Sequence, residues 1–346
     1  MASTMKAALF HEYGGPEVLE IGDVPVPEPA PGEVRVAVRA ASLNHLDLFV
    51  RRGGLPIELP MPHIGGADMA GVVDAVGAGV EGIEPGTPVV ADPSLQYEAY
   101  FDTPAGPDLP DPEFQILGEH RPGGLAEYAC VPAENLLQIP DSVTFSTAAA
   151  AGLVSVTAWR GLFTRGGLRA GERVLVTGAS GGVATMAVQM ARWAGAEVFA
   201  VTSGPKNVER VKELGAHFVY DRLETDFAQA IWEDTHKRGV HLVLDSVGEA
   251  TLPGALRSLA NQGRLVTYGA TTGPALEADV RLIFWKQLSV VGSTMGTPAE
   301  FRRAMEQVFG GRIRPYIQHE LSLDEARRGH ELLEAGEVFG KIVVRP

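Results

Sequence analysis

The stretch Thr177-Gly178-Ala179-Ser180-Gly181-Gly182-Val183-Ala184 decides how the chain is read. Before it runs Arg173-Val174-Leu175-Val176-Thr177, a short β-branched segment. After it, Gly182 to Trp193 carries Val183, Met186, Ala187 and Met190 at helical spacing. A strand, a turn of small residues and an amphipathic helix are the setting in which a pyrophosphate can approach the backbone. Its charge then meets the free N–H groups at the positive end of the helix. An ordinary βα turn would share the glycines, but the flanking elements favour a dinucleotide site. Ser180, Gly181, Gly182 and Val183 are the expected cofactor-binding residues.

Moving towards the C-terminus, strand and helix patterns alternate. Glu197 to Thr202 reads as a strand, Pro205 to Leu214 as a helix and Phe218 to Tyr220 as a short strand. Leu242 to Asp245 reads as a strand, Glu249 to Leu259 as a helix and Arg264 to Thr267 as a strand. This alternation predicts a parallel sheet covered on both faces. An NAD-preferring site places an acid at the end of the second strand, to hold the ribose 2′-OH. Here that strand runs into Thr202-Ser203-Gly204-Pro205-Lys206, with no acid. Ser203, Lys206 and Arg222 could instead surround a 2′-phosphate, the less favoured alternative being that Lys206 simply solvates a helix start. The expected cofactor is NADP(H).

Moving towards the N-terminus, the texture is strands and turns. Val34 to Ala40 alternates with period two, and Val72 to Val76 is a strand running into a glycine turn. In this half only His45 to Arg52 reads as helical. Asp92 to Pro112 has no periodicity and reads as a surface loop or lobe, and Ser146 to Val154 as an Ala-rich helix. Beyond Pro298 come helices over Ala299 to Val308 and Asp324 to Glu334, then a last strand, Lys341 to Val344. The fold class is α/β, with a β-rich part beside a doubly wound one.

Composition narrows the function. The 346 residues suggest two domains, and 29 Lys+Arg against 43 Asp+Glu leave a net charge of −14. Such a surface repels a phosphate backbone and an anionic membrane, which argues against a nucleic-acid or membrane partner. No run approaches the roughly 18 apolar residues of a transmembrane helix, and Met1 to Lys6 lacks a signal-peptide pattern. A soluble, cytoplasmic protein is expected. The single cysteine, Cys130, rules out an intrachain disulfide and a four-cysteine zinc site. Cys130 itself reads as a buried small hydrophobe.

The chain resembles the medium-chain dehydrogenase/reductase superfamily over nearly its whole length, in particular the zinc-independent quinone oxidoreductase branch. The likeness rests on Ala41-Ser42-Leu43-Asn44-His45-Leu46-Asp47, Gly65-Gly66-Ala67-Asp68-Met69-Ala70-Gly71 and Gly123-Gly124-Leu125-Ala126-Glu127-Tyr128. Leu244-Asp245-Ser246-Val247-Gly248, Gly340-Lys341-Ile342-Val343 and the glycine loop complete it. It implies a GroES-like catalytic domain over 1–150 and 297–346, a Rossmann domain inserted over 151–296, and an active site in the cleft between. It also implies a homodimer or homotetramer, with the subunit contact near Leu288 to Gly292, and further cofactor contacts from Thr157, Ser246, Val247 and Gly269.

Zinc alcohol dehydrogenases of that superfamily hold their metal with a Cys, a His-Glu pair and a later Cys, Asp or His. The corresponding places here read Asn44, Ala67-Asp68 and a position near Leu153, and the structural-zinc lobe aligns with Asp92 to Pro112, which has no cysteine. Both usual zinc sites are absent. An unorthodox nitrogen and oxygen set from His45, His63, Asp68, Glu119 and His120 is the alternative, weighed below a metal-free site.

Without a Lewis acid, an electron-poor acceptor such as a quinone or an α,β-unsaturated carbonyl is the natural substrate. Asn44 and His45 are the expected catalytic residues, with Asn44 facing the nicotinamide ribose or the acceptor oxygen. Asp47 reads as structural, capping the helix or pairing with Arg51. Related quinone reductases often carry a Tyr where this chain has Leu55, so a proton must come from His45, His63, His120 or water. The rival readings are a zinc-type alcohol dehydrogenase with substituted ligands and an NADPH-binding protein without turnover.

Overall fold

The computed structural model describes residues 3–55, 57–101 and 113–346. They form two compact units, Met1–Leu153 with Thr297–Pro346, and Val154–Gly296.

In the first unit the organising strand is Glu33–Ser42. Its period-two pattern buries Val34, Val36 and Val38, while Arg35 on the other face donates to Asp74 Oδ2 at 2.6 Å. It pairs antiparallel with Asp68–Val76, with Tyr128–Pro132 and with the C-terminal strand Lys341–Arg345. The sheet continues through Pro88–Ala91 to Leu136–Gln138 on one side and to Ile317–Ser322 on the other. A smaller sheet places Thr4–Phe10 between Glu20–Pro25 and His63–Ile64. The register sets Ser42 opposite both Asp68 and Val343, so three distant pieces of sequence converge at one sheet position.

The helix His45–Arg52 leaves that point with a reciprocal capping box between Asn44 and Asp47. Asp47 does not pair with Arg51. Its oxygens accept from the backbone N–H of Asn44 (2.7 Å) and Gly66 (2.8 Å), which turns the carboxylate inward. Arg51 is buried and instead holds Glu334 and the Gly14 carbonyl, with its guanidinium 3.0 Å from His330 Nδ1. Burial and that neighbouring cation push the His330 imidazole down to about 3.

The stretch expected to be a featureless lobe has structure where it is described. Ser94–Leu95 pairs with Gln115–Ile116, and the short helix Tyr97–Phe101 packs its rings against Phe114. Aromatic spacing at i and i+4 carried that signal. Residues 102–112 lie outside the described residues. Cys130 is half-buried rather than buried, and desolvation pushes its thiol up to about 11, which leaves it inert at neutral pH.

The second unit is built on six parallel strands: β1 (Arg173–Val176), β2 (Glu197–Thr202), β3 (Phe218–Asp221), β4 (Val240–Asp245), β5 (Leu259–Thr267) and β6 (Ser289–Gly292). Their order is 3-2-1-4-5-6, which puts the reversal of strand order between β1 and β4. Val174, Leu175 and Val176 are wholly buried, as expected of a strand covered on both faces. The helix Gly182–Trp193 buries Met186, Ala187, Val188 and Met190. The expected helix Glu249 to Leu259 is shorter, Leu252–Ser258, because Gly248 turns at φ +86° and Leu259 already begins β5. Two helices escaped the pattern reading, Phe227–Asp234 and Val280–Lys286. The second leaves Phe284 and Trp285 exposed beside the edge strand β6, where Val290 is also exposed. Among the described residues, no helix is long and apolar enough to cross a membrane.

Candidate active site

The glycine loop of the second unit follows β1 directly. Gly178 adopts φ +57°, and a Cβ there would lie 2.9 Å from Val247, so only glycine fits the turn. Gly181 N–H donates back to the Gly178 carbonyl (2.9 Å), and the Ala179 N–H to that of Val201 (2.9 Å). The helix then starts at Gly182 with no side-chain cap. Its first-turn N–H groups have no intrahelical acceptor, which is the arrangement that receives a pyrophosphate.

A buried carboxylate ties this loop to its neighbour across the strand-order reversal. Asp245 Oδ2 accepts from the hydroxyls of Thr177 (2.6 Å) and Thr251 (2.5 Å), and Oδ1 from the Gly248 N–H (2.9 Å). Ser246 and Val247 lie in the loop so fixed, where their carbonyls accept from Thr271 and Thr272 N–H. Gly269 packs on Ser246, and a Cβ there would meet the Ser246 carbonyl at 3.2 Å. Thr157 is buried in the helix Phe145–Trp159.

At the ends of β2 and β3 the structure brings Ser203 and Arg222 together, with Arg222 Nε donating to Ser203 Oγ at 2.7 Å. The acid beside them, Asp221, is committed elsewhere. Its Oδ2 accepts from Gly204 N–H (2.9 Å) and its Oδ1 from Leu223 N–H (3.0 Å). Lys206 is exposed in the first turn of the helix Pro205–Glu213. This loop set suits a nicotinamide dinucleotide, whose pyrophosphate the glycine turn would hold.

In the first unit the sheet convergence builds a buried polar network. Lys341 Nζ donates to the Leu43 carbonyl (2.8 Å), Asn44 Oδ1 (2.6 Å) and Asp68 Oδ2 (3.2 Å), which uses all three of its protons. Asn44 Nδ2 donates to Asp68 Oδ2 (2.9 Å) and reaches the Ser42 carbonyl at 3.4 Å. Asp68 Oδ1 accepts from Leu153 N–H at 2.6 Å. Complete burial lowers the pKa of Lys341, an effect that Asp68 opposes. Burial also raises Asp47 to about 6 against the pull of its two backbone donors.

The amide of Asn44 is thus largely spent inside the protein, with an acceptor lobe of Oδ1 left for a ligand hydroxyl. His45 begins the helix and is open to solvent. The protein around it lowers its imidazole pKa, and the Lys341 and Arg52 charges add to this. His63 is buried with Nε2 on the Gly118 carbonyl at 3.1 Å, and His120 Nδ1 accepts from Ile116 N–H at 3.2 Å.

The three places at which zinc dehydrogenases carry ligands therefore share one network around Asp68. Its donor set does not fit zinc. An amide N–H, a backbone N–H and an ammonium already take three of the carboxylate's roughly four acceptor sites, while Ala67 and Leu153 have no ligating side chain. Nor does any group of three or more His, Cys, Asp or Glu among the described residues come together in a way that could hold a metal. Sequence reading missed Lys341 as a site residue and named Glu119 only as a possible ligand.

Comparison with known proteins agrees with this architecture. The alcohol dehydrogenase GroES-like domain family matches residues 30–141, and the zinc-binding dehydrogenase family matches 182–310. A zinc-type alcohol dehydrogenase-like protein of Schizosaccharomyces pombe is 31% identical, with 99% of each chain covered. A quinone oxidoreductase of Pseudomonas aeruginosa is 32% identical, again with 99% of each covered. Among solved structures, an NAD-dependent alcohol dehydrogenase superposes with a TM-score of 0.93 at 41% identity, covering 99% of this chain and 100% of that one. Likeness sustained over both units and almost every residue has one explanation: the chain belongs to the medium-chain dehydrogenase/reductase superfamily and is a nicotinamide-dependent oxidoreductase.

Proposed function

We propose that the protein reduces a quinone or another α,β-unsaturated carbonyl with NADPH and without catalytic zinc. The observation that supports this reading is the Lys341–Asp68–Asn44 network, which commits the Asp68 carboxylate to three hydrogen-bond donors. Bound nicotinamide would supply the hydride. The protein's task is then to orient the two reactants, exclude water and hold charge where it develops. An acceptor that delocalises the incoming charge asks least of a site without a Lewis acid.

The choice of NADPH rests on Ser203 and Arg222, already paired at the end of β2, and on the absence of a free acid there. Arg222 supplies a planar, fully charged donor suited to a phosphate. The P. aeruginosa relative supports quinone as an acceptor. A second reading, NAD-linked alcohol oxidation, is favoured by the likeness at 41% identity to an NAD-dependent alcohol dehydrogenase. Oxidation of NADPH and of NADH by a quinone and by an enal, run beside alcohol oxidation with NAD⁺, separates the two. Faster turnover with NAD⁺ and an alcohol would reject our reading.

The proposed assembly is a homodimer joined through β6. Among the described residues the strand is an unpaired edge, and Phe284, Trp285 and Val290 around it are exposed, a combination that invites pairing with a second copy. Sedimentation of Val290→Lys as monomer, against a wild-type dimer, is the expected result. A wild-type monomer rejects this assembly.

A further inference from the structure

Glu119 is 8% exposed, and no described group hydrogen-bonds its buried Oε2. Its position is fixed by a tight turn. Glu119 N–H and His120 N–H both donate to the Ile116 carbonyl (3.2 and 3.0 Å), and Gly118 N–H to that of Arg121 (2.9 Å). Gly118, at φ +74°, lies so close to the Gly66–Ala67 peptide that a Cβ would come within 2.6 Å of it. Glu119 thus follows directly on a residue packed against Ala67, the neighbour of Asp68.

The charges around Glu119 give it no cation. Asp47 faces it from the helix His45–Arg52, and its like charge adds to the effect of burial. His63, from the strand His63–Ile64, is engaged with the Gly118 carbonyl, and burial favours its neutral form. His120, on the same turn, accepts from Ile116 N–H, and desolvation lowers its pKa. Arg121 is taken by Glu33, and Lys341 by Asp68 and Asn44. An ionised carboxylate left unpaired in such a place would be very costly, whereas a neutral acid is tolerable.

We propose that Glu119 is the proton store of the reaction: its carboxyl is neutral in the resting protein and supplies the proton that the reduced acceptor takes up. This rests on the reductase reading above. One hydride from NADPH goes to the electron-poor carbon or quinone oxygen, and one proton leaves the Glu119 carboxyl, through solvent in the site, for the atom left negative. The carboxylate is then reprotonated from bulk water. Burial raises the carboxyl to about 7, which suits exchange in both directions near neutral pH.

The test uses the full chain with Glu119→Gln and Glu119→Asp. Infrared spectra of the wild type should contain a protonated-carboxyl C=O band that titrates away around pH 7 and is missing from Glu119→Gln. With NADPH and an enal, Glu119→Gln should lower kcat at least tenfold and flatten its decline above neutral pH. The KM for NADPH should stay unchanged, and Glu119→Asp should recover part of the rate. A wild-type spectrum without the titrating band overturns the proposal even if Glu119→Gln fails to fold. So does a Glu119→Gln variant that keeps the wild-type kcat and pH profile. A wild type that carries the band but oxidises NADPH with no acceptor overturns the reductase reading instead, and the proton's role with it.

Discussion

Lys341 Nζ lies 3.2 Å from Asp68 Oδ2, and neither side chain is more than 3% exposed. Two opposite charges so far from water persist because each is held by several hydrogen bonds as well as by the other. Lys341 has three acceptors, and Asp68 receives the Lys341, Asn44 and Leu153 donors. Lys341→Met should therefore cost about 3–5 kcal/mol, because it strands a buried carboxylate. Lys341→Met with Asp68→Asn should recover much of that loss. Urea unfolding measures both, and a single-variant loss under about 1 kcal/mol would show the pair to be dispensable.

Asn44 sits between those two charges and also begins the helix His45–Arg52. Replacing it by alanine removes one partner of each, so Asn44→Ala should lower kcat well before it changes the KM for NADPH. Steady-state kinetics decides this. An unaltered kcat would make Asn44 a structural residue only.

The proposed preference for NADPH rests on Ser203, Lys206 and Arg222. Arg222→Ala, combined with Lys206→Ala, should raise the KM for NADPH about tenfold or more and leave that for NADH nearly unchanged. This is the loss expected for charge-assisted contacts of about 1.5–3 kcal/mol each. Equal effects on both cofactors would remove these residues from 2′-phosphate recognition.

Much of this was legible locally. The glycine loop could be read because a strand, a turn and a helix advertise themselves within about twenty residues, and the helix Gly182–Trp193 has the bounds its spacing predicts. His45–Arg52 was equally plain. Lys341 was not, because its partners lie some three hundred residues away and strand pairing, Val343 with Ser42 and Val344 with Ala41, brings them together. The inward turn of Asp47 depends on the Gly66 N–H, another tertiary contact. The helix Val280–Lys286 was missed because five of its seven residues are apolar, so no polar face sets off Leu282 and Ile283, which pack on the core.

The buried acid at 119 carries a pH signature independent of catalysis. Its folded pKa is raised from 4.5 to about 7, so between those values the native state binds more protons than the unfolded chain. Stability must then fall as pH rises through that window. Relative to Glu119→Gln, the wild type should lose roughly 3 kcal/mol between pH 4.5 and pH 8, from the 1.36 kcal/mol carried by each pKa unit. Denaturation at both pH values measures this, and parallel curves for the two proteins would place the carboxyl in water.

Hydride transfer to an electron-poor acceptor without a metal is the step on which the proposed reduction stands. Its most direct test is the rate of NADPH oxidation by a quinone or an enal, before and after exhaustive chelation of the purified protein. Turnover that chelation leaves unchanged is the expected result. Loss of activity on chelation and its return with added zinc would contradict it.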